Sequence, residues 1–203
     1  MKQITFFTVT LLLIATSLVA QTTTKIFATE DAYTQGGESS KNVFGVENAD
    51  LLRVMRSNIN VKNGRSTYLK FTIPDNINSM MGVSLHLLMN VSNKNDEDPN
   101  AKFKLEVYAA EDNNWSETTL NYENAPKVEG LVGSFEIPSN KGKGTIWQEI
   151  PLNTYAIFKR TMSKDKKTIT LVLRNNDFNK TAAIITSKDK LEKGGPYLKI
   201  ISM

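Results

Sequence analysis

The chain contains no cysteine and a single histidine, His86. A disulfide framework, a zinc-thiolate site, an iron–sulfur cluster and a cysteine nucleophile are therefore all excluded. One imidazole cannot build a His-Glu-x-x-His metal helix, and no Gly-x-Ser-x-Gly elbow occurs, so the short signatures of zinc peptidases and α/β-hydrolases are missing. Beyond the first twenty residues no stretch is long and apolar enough to cross a membrane as a helix. Charge of one sign is scarce too: 25 Lys and Arg face 21 Asp and Glu, a formal net charge of +4. So mild an excess favours a polyanion weakly and does not call for a nucleic-acid partner.

What is present describes a folded chain. It has 203 residues, 40% hydrophobic and 23% charged, which suits one all-β domain with a real core. Residues 1–20 carry Lys2, then the apolar run Thr8 to Ala20 ending in Leu18-Val19-Ala20. This is the layout of a secretory signal peptide, too short and too interrupted by Thr and Ser to span a bilayer. Cleavage after Ala20 leaves Gln21 first, residues 21–24 as an N-terminal linker and 25–203 as the domain. The expected product is secreted or periplasmic, and monomeric.

From residue 25 onward, short alternating runs are separated by clusters of Gly, Asn, Asp, Ser and Pro, a strand signal repeated many times. The runs are 51–55, 67–73, 83–91, 103–109, 131–137, 145–150, 168–174, 182–186 and 197–201, with shorter pieces at 26–28 and 31–34. In the second, Leu69, Phe71 and Ile73 share one face, and Tyr68, Lys70 and Thr72 the other. The spacing of Leu152, Tyr155, Phe158 and Met162 predicts one helix over 152–162. About ten strands and one helix predict a two-sheet jelly-roll β-sandwich.

Several segments in fixed order resemble one family. These are Ala28-Thr29-Glu30-Asp31-Ala32-Tyr33, Asn42-Val43-Phe44-Gly45, Arg65-Ser66-Thr67-Tyr68-Leu69-Lys70-Phe71, and Leu105-Glu106-Val107-Tyr108. After them come Trp115-Ser116-Glu117-Thr118-Thr119-Leu120, Asn124-Ala125-Pro126, Leu171-Val172-Leu173-Arg174, Thr186-Ser187-Lys188 and Pro196-Tyr197-Leu198. Over nearly all of 25–203 the chain resembles DNRLRE-type domains, also classed as family 96 carbohydrate-binding modules. The resemblance implies a jelly roll that binds anionic polysaccharide, alginate in the characterised branch, through a groove rich in Lys and Arg. Two departures bear on the ligand: Lys188 stands where the family often has arginine, and Tyr122 where tryptophan is common. Family members usually sit beside other modules, for which this sequence leaves no room.

Basic residues give the candidate ligand contacts: Arg53, Arg56, Lys62, Arg65 and Lys70, with Arg174 and Lys188 from the C-terminal half. If Leu52 and Val54 face the core, Arg53 points outward, as Lys70 does by its own parity. A guanidinium offers a planar fork that matches a carboxylate. The same residues also read as an ordinary solvated face with lysines guarding edge strands. Among rings that could stack on a pyranose, outward Tyr68 leads Tyr33, Tyr108 and Trp147, while Trp115 reads as buried with its N–H satisfied. Asp31 is the candidate ligand for a structural calcium ion, ahead of the loop Asp96-Glu97-Asp98, which lacks EF-hand spacing.

These observations predict a non-catalytic module that binds an acidic, alginate-like uronate chain. The rival readings are a jelly-roll polysaccharide lyase, whose Arg-x-Glu-(Leu)-Arg and Gln-(Ile/Val)-His strands are absent, and an adhesion module with a protein partner.

Overall fold

The computed structural model describes residues 21–56, 63–95, 97–140, 144–162 and 167–203. Eleven strands form, in chain order β1 (Thr22–Phe27), β2 (Glu30–Gln35), β3 (Leu51–Met55), β4 (Arg65–Thr72), β5 (Gly82–Asn93) and β6 (Phe103–Ala110). They continue with β7 (Val128–Ile137), β8 (Ile146–Pro151), β9 (Thr168–Arg174), β10 (Thr181–Thr186) and β11 (Tyr197–Ser202). Two helices, α1 (Phe44–Glu47) and α2 (Thr154–Met162), and 3-10 turns at Gly37–Ser39 and Lys188–Lys193 complete the elements.

Every strand pair is antiparallel. Hydrogen bonds link all eleven strands in one curled sheet of order β1-β11-β5-β10-β3-β4-β9-β6-β7, with β2 added to β4 and β8 to β5. The sequence predicts a two-sheet sandwich; β3 and β4 share one register pair, Met55 with Arg65, which joins the strands on either side into one continuous ladder. The predicted linker residues Thr22 to Thr24 form the first half of β1 and pair with Ser202 to Ile200 of β11.

Period-two alternation explains the core. β5 is flanked by β8 on one side and by β10 and β11 on the other. Its Val83, Leu85, Leu87, Met89 and Val91 point inward to meet Leu69, Phe71 and Ile73 around β4, and Ile169, Leu171 and Leu173 of β9. A second, smaller cluster lies on the outer side of β4 and β9. There Tyr68 and Val172 are covered by Ala32, Ala110, Trp115 and Leu120, so these strands are buried on both faces.

The helix differs from its expected form. It starts at Thr154, where the Asn153 side chain accepts a hydrogen bond from Ala156 N–H at 3.0 Å, and such a cap satisfies one of the free first-turn donors. Its fully buried residues are Ile157 and Thr161, with Ala156 and Met162 packed against the core, whereas Tyr155 is 72% exposed.

Candidate functional site

The outer surface of β3 and β10 carries the basic site. Leu52 and Val54 are buried in the core, which sends Arg53 and Met55 to the opposite face. Opposite them on β10 lie Ile184 and Ala182, and beyond these Asn90 and Ser92 of β5. A pocket of about 430 Å³ opens here, lined among others by Arg53, Arg56, Arg65, Lys94 and Lys180. A second, of about 250 Å³, shares Met55, Arg56 and Arg65 with the first and adds Tyr122, Arg174 and Asn176. The two make one groove.

The groove gathers cations that have no counter-ion among the described residues. Among the described residues no ion pair involves Arg53, Arg56, Arg65, Arg174, Lys94 or Lys180. Neutral groups hold the arginines in place: Arg56 donates to the Asn176 carbonyl at 2.7 Å and lies 3.8 Å over the Phe178 ring. Arg65 Nε donates to Gln35 Oε1 at 2.7 Å. The Nε atoms of Arg53 and Arg56 are buried without a hydrogen-bond partner among the described residues, and a buried unmade bond is costly. Crowding shows in Arg65, whose guanidinium is held below its ordinary pKa first by burial and then by Arg53. Glu106, the register partner of Arg174, is engaged by Lys104 at 3.3 Å and by the Tyr108 hydroxyl at 3.0 Å.

Other expected contacts lie elsewhere. Tyr68 is buried, 3% exposed, its ring set edge-on to Trp115. Lys70 pairs with Glu30, donates to the Trp115 carbonyl and sits 4.7 Å over the Trp115 ring. Both point outward by parity as expected, but the chain from Ala110 to Leu120 covers that face and takes them from solvent. Trp115 is buried and donates Nε1–H to Thr170 at 2.9 Å. Tyr33 is buried against Phe44. Lys62 and Asp96 lie outside the described residues. The sequence reading did not select Lys94, Lys180 or Asn176; their signal was a pair of polar, turn-rich connections, around 94 and 176–180, whose proximity only the strand order reveals.

Lys188 belongs to a different cluster. Its ammonium lies 3.0 Å from Glu117 and 2.7 Å from Asp189. Carboxylate oxygens of Asp31, Glu117 and Asp189 gather within 4.8 Å of one another. Asp31 accepts from the Ser187 hydroxyl at 2.9 Å and the Lys188 N–H at 2.7 Å. Burial pushes its carboxyl from an ordinary 3.8 up to about 6, against the pull of those two hydrogen bonds.

His86 is joined by two residues the sequence reading did not connect to it. Ser84 Oγ lies 3.0 Å from His86 Nε2 and donates to Glu149 Oε1 at 2.9 Å. That same carboxylate oxygen is 3.5 Å from Nε2. A nucleophilic relay needs the carboxylate on the imidazole nitrogen remote from the hydroxyl. Here the carboxylate accepts the hydroxyl's hydrogen bond directly, so Ser84, His86 and Glu149 do not form such a relay.

The model of carbohydrate-binding module family 96 matches residues 22–202. The chain belongs to that family. Family 96 membership makes it a carbohydrate-binding module. No curated protein matches by sequence. Among solved structures, the CBM22-1 and GH10 modules of the Clostridium thermocellum N-terminal endo-1,4-beta-D-xylanase 10B, complexed with xylohexaose, align with 10% identity and a TM-score of 0.33. That alignment covers 88% of this chain and 28% of the other.

Because the folded pKa of Asp31 is raised, the native state binds a proton there more tightly than the unfolded chain does. This contribution to stability is fully present below pH 3.8 and is lost as pH rises through about 6. Urea denaturation across pH 3–8 should show wild type losing stability relative to Asp31→Asn between about pH 4 and 7, with a constant difference above. A difference independent of pH would show that Asp31 titrates normally.

Proposed function

We propose that this module is non-catalytic and binds an acidic polysaccharide, an alginate-like uronate chain, along the arginine-lined groove of β3, β10 and β4. The observation that carries this reading is a gathering of six cations in one groove with no carboxylate paired to any of them among the described residues. Lysines such as Lys70, Lys102, Lys188 and Lys199 hold carboxylates, and Lys41 and Lys159, which pair with none among the described residues, line neither of the two pockets. Carboxylates spaced along a sugar chain supply what the groove lacks, and a guanidinium fork accepts them two oxygens at a time. Tyr122, 52% exposed at the groove wall, offers a ring to the pyranose between charges. The family resemblance supports the same ligand class.

We further propose that the chain is exported after cleavage at Ala20 and acts as a monomer. We also propose that the ammonium of Lys188 stands in for calcium at Asp31: it lies 3.0 Å from Glu117 and 2.7 Å from Asp189, and its one charge offsets part of theirs.

Affinity electrophoresis in alginate should retard the protein, with no growth of unsaturated-uronate absorbance in solution. At 0.15 M salt the Debye length is ~8 Å, falling to ~3 Å at 1 M, so retardation should fade with added NaCl. Exposed charge pairs contribute roughly 0.5–1 kcal/mol each. The double change Arg53→Ala with Arg56→Ala should therefore cost about tenfold in affinity, ~1.4 kcal/mol being one decade. Lys70→Ala should leave affinity unchanged and lower the melting temperature. Full affinity in the arginine double variant would move the ligand off the groove. Calcium and EDTA should leave the melting temperature unchanged; a rise with calcium, reversed by chelator, would restore the ion. N-terminal sequencing of the product exported by a bacterial host should begin at Gln21, and an intact Met1 would refute the cleavage.

A further inference from the structure

A row of side chains crosses four strands on the outer face of the sheet. Phe27 of β1 pairs with Tyr197 of β11, Tyr197 with His86 of β5, and His86 with Glu149 of β8. Two residues before Glu149, Trp147 pairs with Leu88. The rings brace one another. His86 stacks on Tyr197 at 4.5 Å and 8°, Trp147 meets Tyr197 at 5.4 Å and 61°, and Phe27 lies 5.6 Å from Tyr197 on the other side. Phe27 is nevertheless 47% exposed and Trp147 46%, and neither belongs to the core.

The backbone is fitted to the indole. Gly194 has φ +80°, and a Cβ there would lie 2.7 Å from Trp147 Cζ2, so glycine serves both the left-handed conformation and the close approach. Charge around the rings is low: Lys199 lies 3.5 Å from Glu149, and Lys25, 5.0 Å over the Tyr197 ring, leaves one positive charge in excess. Burial lowers the pKa of His86, against the pull of Glu149. This is the opposite of the arginine groove. The two regions share a face: Ser92 of β5 lines the groove, and Leu88, four residues back at ~3.3 Å per residue, pairs with Trp147 about 13 Å away.

We propose that this face is a second glycan subsite that takes uncharged pyranose units, stacked on Trp147 and Phe27, with Glu149 and Lys199 hydrogen-bonding their hydroxyls. Exposed rings present an apolar surface to the C–H face of a sugar, and a carboxylate beside an ammonium offers both an acceptor and donors. One excess positive charge rewards a carboxylated sugar far less than the groove's six cations do. The proposal rests on membership in a family of carbohydrate-binding modules and not on the acidic ligand of the groove.

Trp147 is the exposed one of two tryptophans; Trp115 is buried. Acrylamide quenching of fluorescence therefore reports on Trp147. The exported protein is titrated with cellohexaose and laminarihexaose at 1 M NaCl, where the groove's charges are screened to ~3 Å. At least one hexasaccharide should protect Trp147 from quenching. Trp147→Ala and Phe27→Ala, followed by calorimetry, should each lose about tenfold in affinity for it, with melting temperatures near wild type. Arg53→Ala with Arg56→Ala should bind it as wild type does, and Trp147→Ala should keep its retardation in alginate, so failure of either site is read separately. No protection by either sugar, or undiminished binding in both aromatic variants, would overturn the proposal. So would a dimer in sedimentation that Trp147→Ala dissociates and sugar does not affect.

Discussion

Covering the outer face of β4 and β9 is the constraint that places everything else. Trp115, anchored by its hydrogen bond to Thr170 and by the cation of Lys70 over its ring, seals a second apolar cluster with Tyr68, Val172 and Leu120. Burying an aromatic side chain of this size contributes on the order of 2–3 kcal/mol. Along their buried lengths β4 and β9 offer a polymer no surface, and only their ends, Arg65 and Arg174, reach the groove. The groove and the aromatic row lie instead on the outer surface of β3, β10, β5, β8, β11 and β1.

The division between paired and unpaired cations follows from the same arrangement. Lys70 and Lys188 sit where desolvation would be costly without a counter-charge, with side chains 14% and 16% exposed, and each has one. Removing one partner of such a pair strands the other charge. Arg56 is held by the Asn176 carbonyl and the Phe178 ring, and Arg65 by the Gln35 side chain. These groups fix orientation without neutralising charge, so part of the ordering cost of binding has been met before any ligand arrives.

Much of the fold could be read from alternation alone. β3 and β9 have the expected bounds, and the others differ by one to three residues except β1, which starts four residues before the expected run, because a period of two is insensitive to what lies across the sheet. The helix was harder. Tyr155 and Ile157 both suit an apolar stripe, and only the packing against β5 and β9 buries Ile157. For the site, parity placed Arg53, Tyr68 and Lys70 on the outer face correctly, but outward is not the same as exposed. The chain that covers Tyr68 is more than forty residues away in sequence, and no local pattern announces it. Arg56, Arg65 and Arg174 converge through the Met55–Arg65 corner and the β4–β9 pairing, which is topology. Glu149 reaches His86 in the same way, across the β5–β8 pairing, whereas Ser84, two residues before His86 on β5, shares its face by the strand period.

The full-length register of β1 against β11, Thr22 opposite Ser202, brings the two ends of the domain side by side at one edge of the sheet. A unit whose entrance and exit are adjacent can be spliced into a surface loop of a host protein without stretching either, because the host chain departs almost where it arrived. The same adjacency lets a short bridge join the ends and a new opening be cut in a turn-rich connection such as 93–101, making this architecture suited to circular permutation as well as to tandem fusion.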